Sequence, residues 1–174
     1  TIWWAALLAG CSFMLPVLAG WHGPAIIAWK GAGVGLLALW ASLQARSTDG
    51  WLITAVMALG ALGDVLLDAL GLEMGAMAFV AGHILAIILY ARNRRAGLSG
   101  SQMLLGLLLV PLALLITLGL VRGAPGATLA LVYAAIVSAM AAMAWTSRFP
   151  RYRTGLGAVA FLVSDLLIFA GEGI

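Results

Sequence analysis

Charged residues are scarce in this chain. Of its 174 residues only 9% are Asp, Glu, Lys or Arg, while 64% are hydrophobic, and the mean hydropathy is +1.14. A soluble domain of this length could not bury so much apolar surface, whereas a polytopic membrane protein has no need to. The net charge of +3 sits mostly in short loops between apolar runs, which favours orientation in a bilayer over nucleic-acid binding.

Cysteine and histidine are also rare. The single cysteine, Cys11, lies in an apolar stretch and excludes an intrachain disulfide and a cysteine-rich metal site. A zinc hydrolase normally uses three protein ligands, with histidine prominent. This chain offers only His22 in a predicted loop and His83 in an apolar run. We therefore expect neither a metal nor another cofactor.

What the chain does contain is a series of long runs rich in Ala and Leu, without the alternation of a strand, which predicts membrane helices. The predicted spans are Thr1–Leu18, Ala25–Ala45, Trp51–Leu70, Gly75–Ala91, Ser101–Val121, Ala127–Thr146 and Gly155–Ala170. The fold class is therefore all-α, a polytopic membrane helix bundle. We expect residues 1–174 to form a single transmembrane domain with seven visible spans.

The loops predict an orientation. Most arginines fall in alternate joints and so on one face: Arg46, Arg92, Arg94, Arg95, Arg148, Arg151 and Arg153. The positive-inside rule places this face in the cytoplasm, together with the N-terminus. With seven spans, Ile174 would lie on the far side. A bacterial cytoplasmic (inner) membrane is the expected location.

Several polar residues fall inside the predicted spans. From the rise of a helix, their depths from the cytoplasmic ends are about 12 Å for His83, about 15 Å for Asp165, about 20 Å for Asp64 and Tyr133, and about 24 Å for Lys30. An intramembrane charge costs about 2.5–3.5 kcal/mol on insertion scales, so such groups normally face the bundle interior. Five helices contributing polar groups at similar depths predict one shared polar cavity.

For most of these residues a structural role competes with a functional one. Lys30 lies near a helix end and could reach the surface, Asp68 could meet water, and His83 and Tyr133 could serve in packing. Asp64 and Asp165 are different, because apolar residues surround each for more than a turn on both sides. An intramembrane acid in such surroundings indicates a functional site.

At these positions the chain resembles the lysoplasmalogenase (YhhN-type) family of membrane proteins. The matching segments are "LGDVLLD" (62–68), "FVAGHILAIILY" (79–90), "LVYAAIVSAMAAMAW" (131–145) and "GAVAFLVSDLL" (157–167). Lys30 also fits, although Gly31 follows it where the family usually has a proline. Members have eight spans, so the resemblance implies that a C-terminal helix is missing here.

The resemblance implies hydrolysis of the vinyl-ether bond of lysoplasmalogens, a class of lysophospholipid, to a fatty aldehyde and a glycerophospho-alcohol. Asp64 and Asp165 match the family's proposed active-site acids. Vinyl-ether cleavage, like glycoside cleavage, uses one carboxylic acid as proton donor and one carboxylate. We expect Asp165 to be the ionised partner, with Ser164 helping to hold water. His83 and Tyr133 would position water or the leaving oxygen, and Lys30 would attract the lipid phosphate or pair with Asp64.

Two other functional interpretations of these residues stay open. Intramembrane acids with a lysine and a histidine also suit a proton-coupled transporter of a small molecule or lipid. A non-catalytic membrane scaffold would need neither aspartate. The preferred head group, the chain length and the oligomeric state are not fixed by the sequence.

Overall fold

The computed structural model describes residues 1–172, and its architecture is helical throughout. Of the described residues, 84% are helical, and these residues contain no strand, only an isolated bridge between Arg94 and Ser147. The helices are α1 (Ile2–Ser12), α2 (Met14–Leu18), α3 (Pro24–Gln44), α4 (Thr48–Leu70), α5 (Leu72–Arg92), α6 (Gly100–Leu120), α7 (Ala127–Thr146) and α8 (Leu156–Glu172), the last preceded by a π-helical turn (Arg151–Gly155). The predicted all-α class is confirmed.

Six of the helices in the described part of the chain are long and apolar enough to cross a membrane: α3, α4, α5, α6, α7 and the π-helical turn with α8. The chain is therefore an integral membrane protein. Ile174, whose side of the membrane the sequence predicts, lies outside the described residues. Residues Ile2–Leu18 form a shorter apolar stretch.

The first predicted span differs from a single helix, because Phe13 separates α1 from α2. Pro16 explains the break: it has no backbone N–H, and its ring crowds the carbonyl of Ser12, four residues earlier. The indole N–H of Trp29 on α3 instead reaches this region, donating to Ala9 O at 3.2 Å and to Ser12 Oγ at 3.1 Å. These two hydrogen bonds connect the end of α1 to α3.

The chain divides into two compact units, residues Thr1–Ala86 and the residues from Ile87 onwards. In the first unit α3 packs against both α1 and α4. A single joint residue, Gly71, connects α4 to α5 with φ of +98°, a conformation that glycine adopts without steric cost. This sharp reversal brings Gly75 so close to Leu67 that an added Cβ would lie 2.8 Å from the Leu67 Cα.

In the second unit α7 is the central helix, packed against α6, the π-helical turn and α8. Its small residues permit this, since Ala134, Ala141 and Ala144 are completely buried. Two buried hydroxyl groups bond to their own helices: Thr117 donates to Ala113 O at 2.8 Å, and Ser138 donates to Ala134 O at 2.6 Å. The hydroxyls thus place no unpaired polar group in the apolar interior.

Candidate functional site

Asp64 lies on α4 between the two faces that pack against neighbouring helices. Ala61 and Val65 contact glycines of α3, whereas Gly63 and Leu67 lie against α5. Because successive helical residues are about 100° apart, Asp64 falls between these two sets. Its half-buried side chain therefore projects towards the groove between α3 and α5.

An ion pair lies one turn further along the same face of α4. The Lys30 ammonium donates to Asp68, with Nζ and Oδ1 2.7 Å apart, and the two side chains are 22% and 33% exposed. Both residues are also near enough to Asp64 to act on it through space, Lys30 by attraction and Asp68 by repulsion. The alternative pairing predicted from the sequence, Lys30 with Asp64, is not formed.

His83 on α5 is buried, with only 6% of its surface exposed. Its ring is nearly parallel to that of Phe79, at 18° and a centroid distance of 6.5 Å. Phe79 in turn fills the space beside Gly63, where an added Cβ would lie 2.8 Å from the ring. Phe79 therefore packs beside both the His83 ring and Gly63, the residue before Asp64.

In the second unit Tyr133 holds Asp165. The tyrosine hydroxyl on α7 donates to Oδ2 of Asp165 on α8 at 2.8 Å, and both residues are buried. Phe169, one turn beyond Asp165, packs edge-on against the Tyr133 ring at 5.8 Å between centroids. The Tyr133 hydroxyl therefore orients the Asp165 carboxylate, and the Phe169 ring packs beside this hydrogen-bonded pair.

Asp165 belongs to a buried stripe of α8 that also contains Ala158, Leu162 and Phe169. Ser164 lies outside this stripe on an exposed face, because the adjacent residue of a helix is turned by about 100°. A water held by Ser164 next to Asp165 is therefore not supported by its position.

The candidate residues thus form two groups. The first unit brings together Lys30, Asp64 and Asp68 and holds His83 through Phe79, and the second unit joins Tyr133 to Asp165. A cavity shared by all of them stays a prediction.

Sequence reasoning missed both aromatic partners. The available signal was spacing, since Phe79 precedes His83 by four residues and Phe169 follows Asp165 by four, which places each pair on one helix face. Among residues 1–172, no three His, Cys, Asp or Glu side chains come together in a way that could hold a metal ion.

Comparison with known proteins gives a family. The YhhN family model matches residues 25–172, a stretch that covers α3 to α8 and every candidate site residue. Neither the curated proteins nor the solved structures gave a match. Because the match extends over most of the chain, and over both groups of polar residues, this protein belongs to the YhhN family.

Proposed function

We propose that this protein is a membrane hydrolase that cleaves the vinyl-ether bond of lysoplasmalogens. The observation that carries the proposal is an arrangement between α3 and α4. Lys30 of α3 places a partly exposed ammonium group next to the face of α4 that carries the intramembrane acid Asp64. Such a site combines an anion-binding group with a proton donor. Family membership is compatible with a hydrolase.

The spacing along α4 suits a lysophospholipid. Asp68 and its partner Lys30 lie near the end of the span, and Asp64 lies about 6 Å deeper, because four residues of helix rise by that distance. In a lysoplasmalogen the vinyl ether lies across the glycerol from the phosphate and deeper in the membrane. A phosphate at Lys30 would therefore leave the vinyl ether at the depth of Asp64.

The reaction needs few groups from the protein. An acid transfers its proton to the β-carbon of the vinyl ether, which creates an oxocarbenium ion. Water adds to the cationic carbon, and the resulting hemiacetal breaks into an aldehyde and the glycerol hydroxyl. A carboxylate that remains ionised stabilises the cation, as the second acid does in glycosidases.

The local contacts favour different roles for the two acids. Asp165 accepts a hydrogen bond from Tyr133, and a hydrogen bond to an ionised acceptor is stronger than one to a neutral acceptor. We therefore assign Asp165 as the ionised partner and Asp64 as the proton donor. His83, fixed against Phe79, is assigned to positioning water or the leaving oxygen.

The proposed location is a bacterial inner membrane. We propose that the N-terminus and the arginine-rich loops lie in the cytoplasm. A cysteine placed at position 94 of a Cys11→Ser protein should resist a membrane-impermeant thiol reagent in intact cells, and labelling there would contradict this assignment.

The central prediction concerns the two aspartates. Asp64→Asn and Asp165→Asn should each lower aldehyde release from a lysoplasmalogen by about 100-fold or more, because each removes a group that acts on the reacting atoms. The measurement is aldehyde formation by purified protein in detergent, without a membrane gradient. Glu73→Gln, in the first turn of α5, makes the same change of charge outside the candidate site and should leave activity near wild type.

Near wild-type aldehyde release from both aspartate variants would end the proposal. No release by the wild-type protein, together with gradient-dependent uptake into vesicles, would instead indicate the transporter. If a variant that lacks both aspartates still performs the protein's role in the cell, the protein is a non-catalytic scaffold.

The second prediction concerns Tyr133. Tyr133→Phe removes the hydroxyl that orients Asp165 and should reduce kcat by about tenfold, consistent with a loss of roughly 1.5 kcal/mol for a hydrogen bond to a charged group. Tyr90→Phe is a matched control, since Tyr90 is also buried and packs edge-on against Phe149. Steady-state kinetics in detergent should show the loss only at Tyr133, and equal effects of the two substitutions would refute the assignment.

The third prediction concerns recognition of phosphate. Lys30→Gln should raise KM for a lysoplasmalogen by about tenfold, the effect of losing one charge-assisted hydrogen bond. Asp68→Asn, which releases Lys30 from its ion pair, should not raise KM. With a 1-alkenylglycerol that lacks phosphate, Lys30→Gln and wild type should have equal KM values. A KM increase of the same size for this substrate would show that Lys30 does not bind phosphate.

A further inference from the structure

Two arginine-rich loops of the second unit are bonded to each other. The loop after α5 and the loop after α7 meet in the isolated bridge between Arg94 and Ser147. The backbone N–H of Arg148 donates to Asn93 O at 2.9 Å, and Nε of Arg95 donates to Ser147 O at 3.2 Å. We call Arg94, Arg95 and Arg148, together with their partners Asn93 and Ser147, the loop clasp.

Asn93 is the centre of the loop clasp. It is buried, with 3% of its surface exposed, and its amide donates to Leu89 O at 2.9 Å. Its Oδ1 accepts from both Nε and Nη2 of Arg148, at 2.9 and 2.7 Å. An exposed arginine is thus held in one orientation by a buried side chain, which a purely solvated charge would not require.

The loop clasp concentrates positive charge without neutralising it. In the part of the chain that the structure describes, no carboxylate lies within 4.0 Å of Arg94, Arg95 or Arg148. The bonds described above leave Nη1 of Arg148 and both terminal nitrogens of Arg95 unused. These donors remain available to an anion, and a guanidinium group suits the oxygens of a phosphate.

The following residues add features of a membrane surface. Arg151 and Arg153 lie in the π-helical turn that leads into α8. The Arg151 guanidinium lies 4.8 Å from the centre of the Tyr152 ring, and this exposed tyrosine packs edge-on against Trp145. Aromatic residues beside arginines at the end of a span are typical of the lipid headgroup region.

We propose that the loop clasp binds the phosphate of an anionic phospholipid in the surrounding leaflet. The site is at the ends of apolar helices long enough to cross a membrane, so a lipid of the surrounding leaflet would reach it by lateral diffusion. Basic sites between membrane helices recognise acidic headgroups in this way. The buried Asn93 distinguishes the loop clasp from arginines that serve only to orient the chain, since orientation depends on charge and not on a fixed guanidinium.

A charge-conserving substitution tests this distinction. Arg148→Lys keeps the charge but loses the planar fork that binds both Asn93 and phosphate. Thermal unfolding would be followed in nanodiscs of phosphatidylcholine alone and of phosphatidylcholine with phosphatidylglycerol. We expect the anionic lipid to raise the Tm of the wild-type protein by about 3–5 °C, as binding to the folded state does, and to have less than half this effect on Arg148→Lys.

The controls separate the site from general electrostatics. Arg122→Lys, in the loop after α6, is the same substitution at another arginine and should retain the full response to phosphatidylglycerol. Asn93→Ala leaves the charge unchanged and should lose the response with Arg148→Lys. The difference between the two lipid compositions is measured within each variant, so a lower baseline stability does not affect it.

Three outcomes would overturn the proposal. The first is an equal Tm of the wild-type protein in both lipids, and the second is an equal response of Arg148→Lys and Arg122→Lys. The third is a full Tm increase in phosphatidylcholine nanodiscs on addition of inorganic phosphate or glycerophosphate, which would identify a soluble anion as the ligand.

Discussion

The cost of an unpaired polar group in hydrocarbon explains how the hydroxyl and acidic side chains of the membrane helices are arranged. An unpaired group costs several kcal/mol in such surroundings, so the hydroxyls of Thr117 and Ser138 bond to the backbones of their own helices. Acidic groups have no such local solution. Asp165 obtains a hydroxyl from a neighbouring helix, and Asp68 obtains an ammonium group. The polar side chains are therefore positioned by contacts between helices, which only close packing permits.

Glycine provides that close packing around the first polar group. Gly31 lies against Val65, Gly63 against Phe79 and Gly75 against Leu67, so that α3 and α5 both approach α4. An acid placed on α4 between these two contact faces projects into a groove rather than into a packed interface. The groups that surround Asp64 are thus a consequence of where the small residues lie on three consecutive helices.

This explains how much the sequence could predict. Hydropathy predicted the helices, because length and apolar character alone decide whether a helix can span a membrane, and Ala127–Thr146 agrees in both bounds. The break at Phe13 depends on one proline within an otherwise uniform run. The choice of Asp68 over Asp64 as the partner of Lys30 depends on side-chain reach across two helices, which periodicity does not report. The position of Ser164 was predictable, since an adjacent residue cannot share the buried stripe of Asp165.

The polar groups at the two ends of the membrane helices are paired in different ways, which gives these ends different chemistry. Near the joint between α4 and α5, the charge of Lys30 is compensated by Asp68 until a competing anion arrives. At the loop clasp, the neutral amide of Asn93 holds Arg148 and cancels none of its charge. An ion pair suits a ligand that must bind and leave, as a substrate does, because the carboxylate can replace the departing phosphate. An arginine oriented by a neutral group keeps its full attraction for anions, which suits a lipid that remains bound.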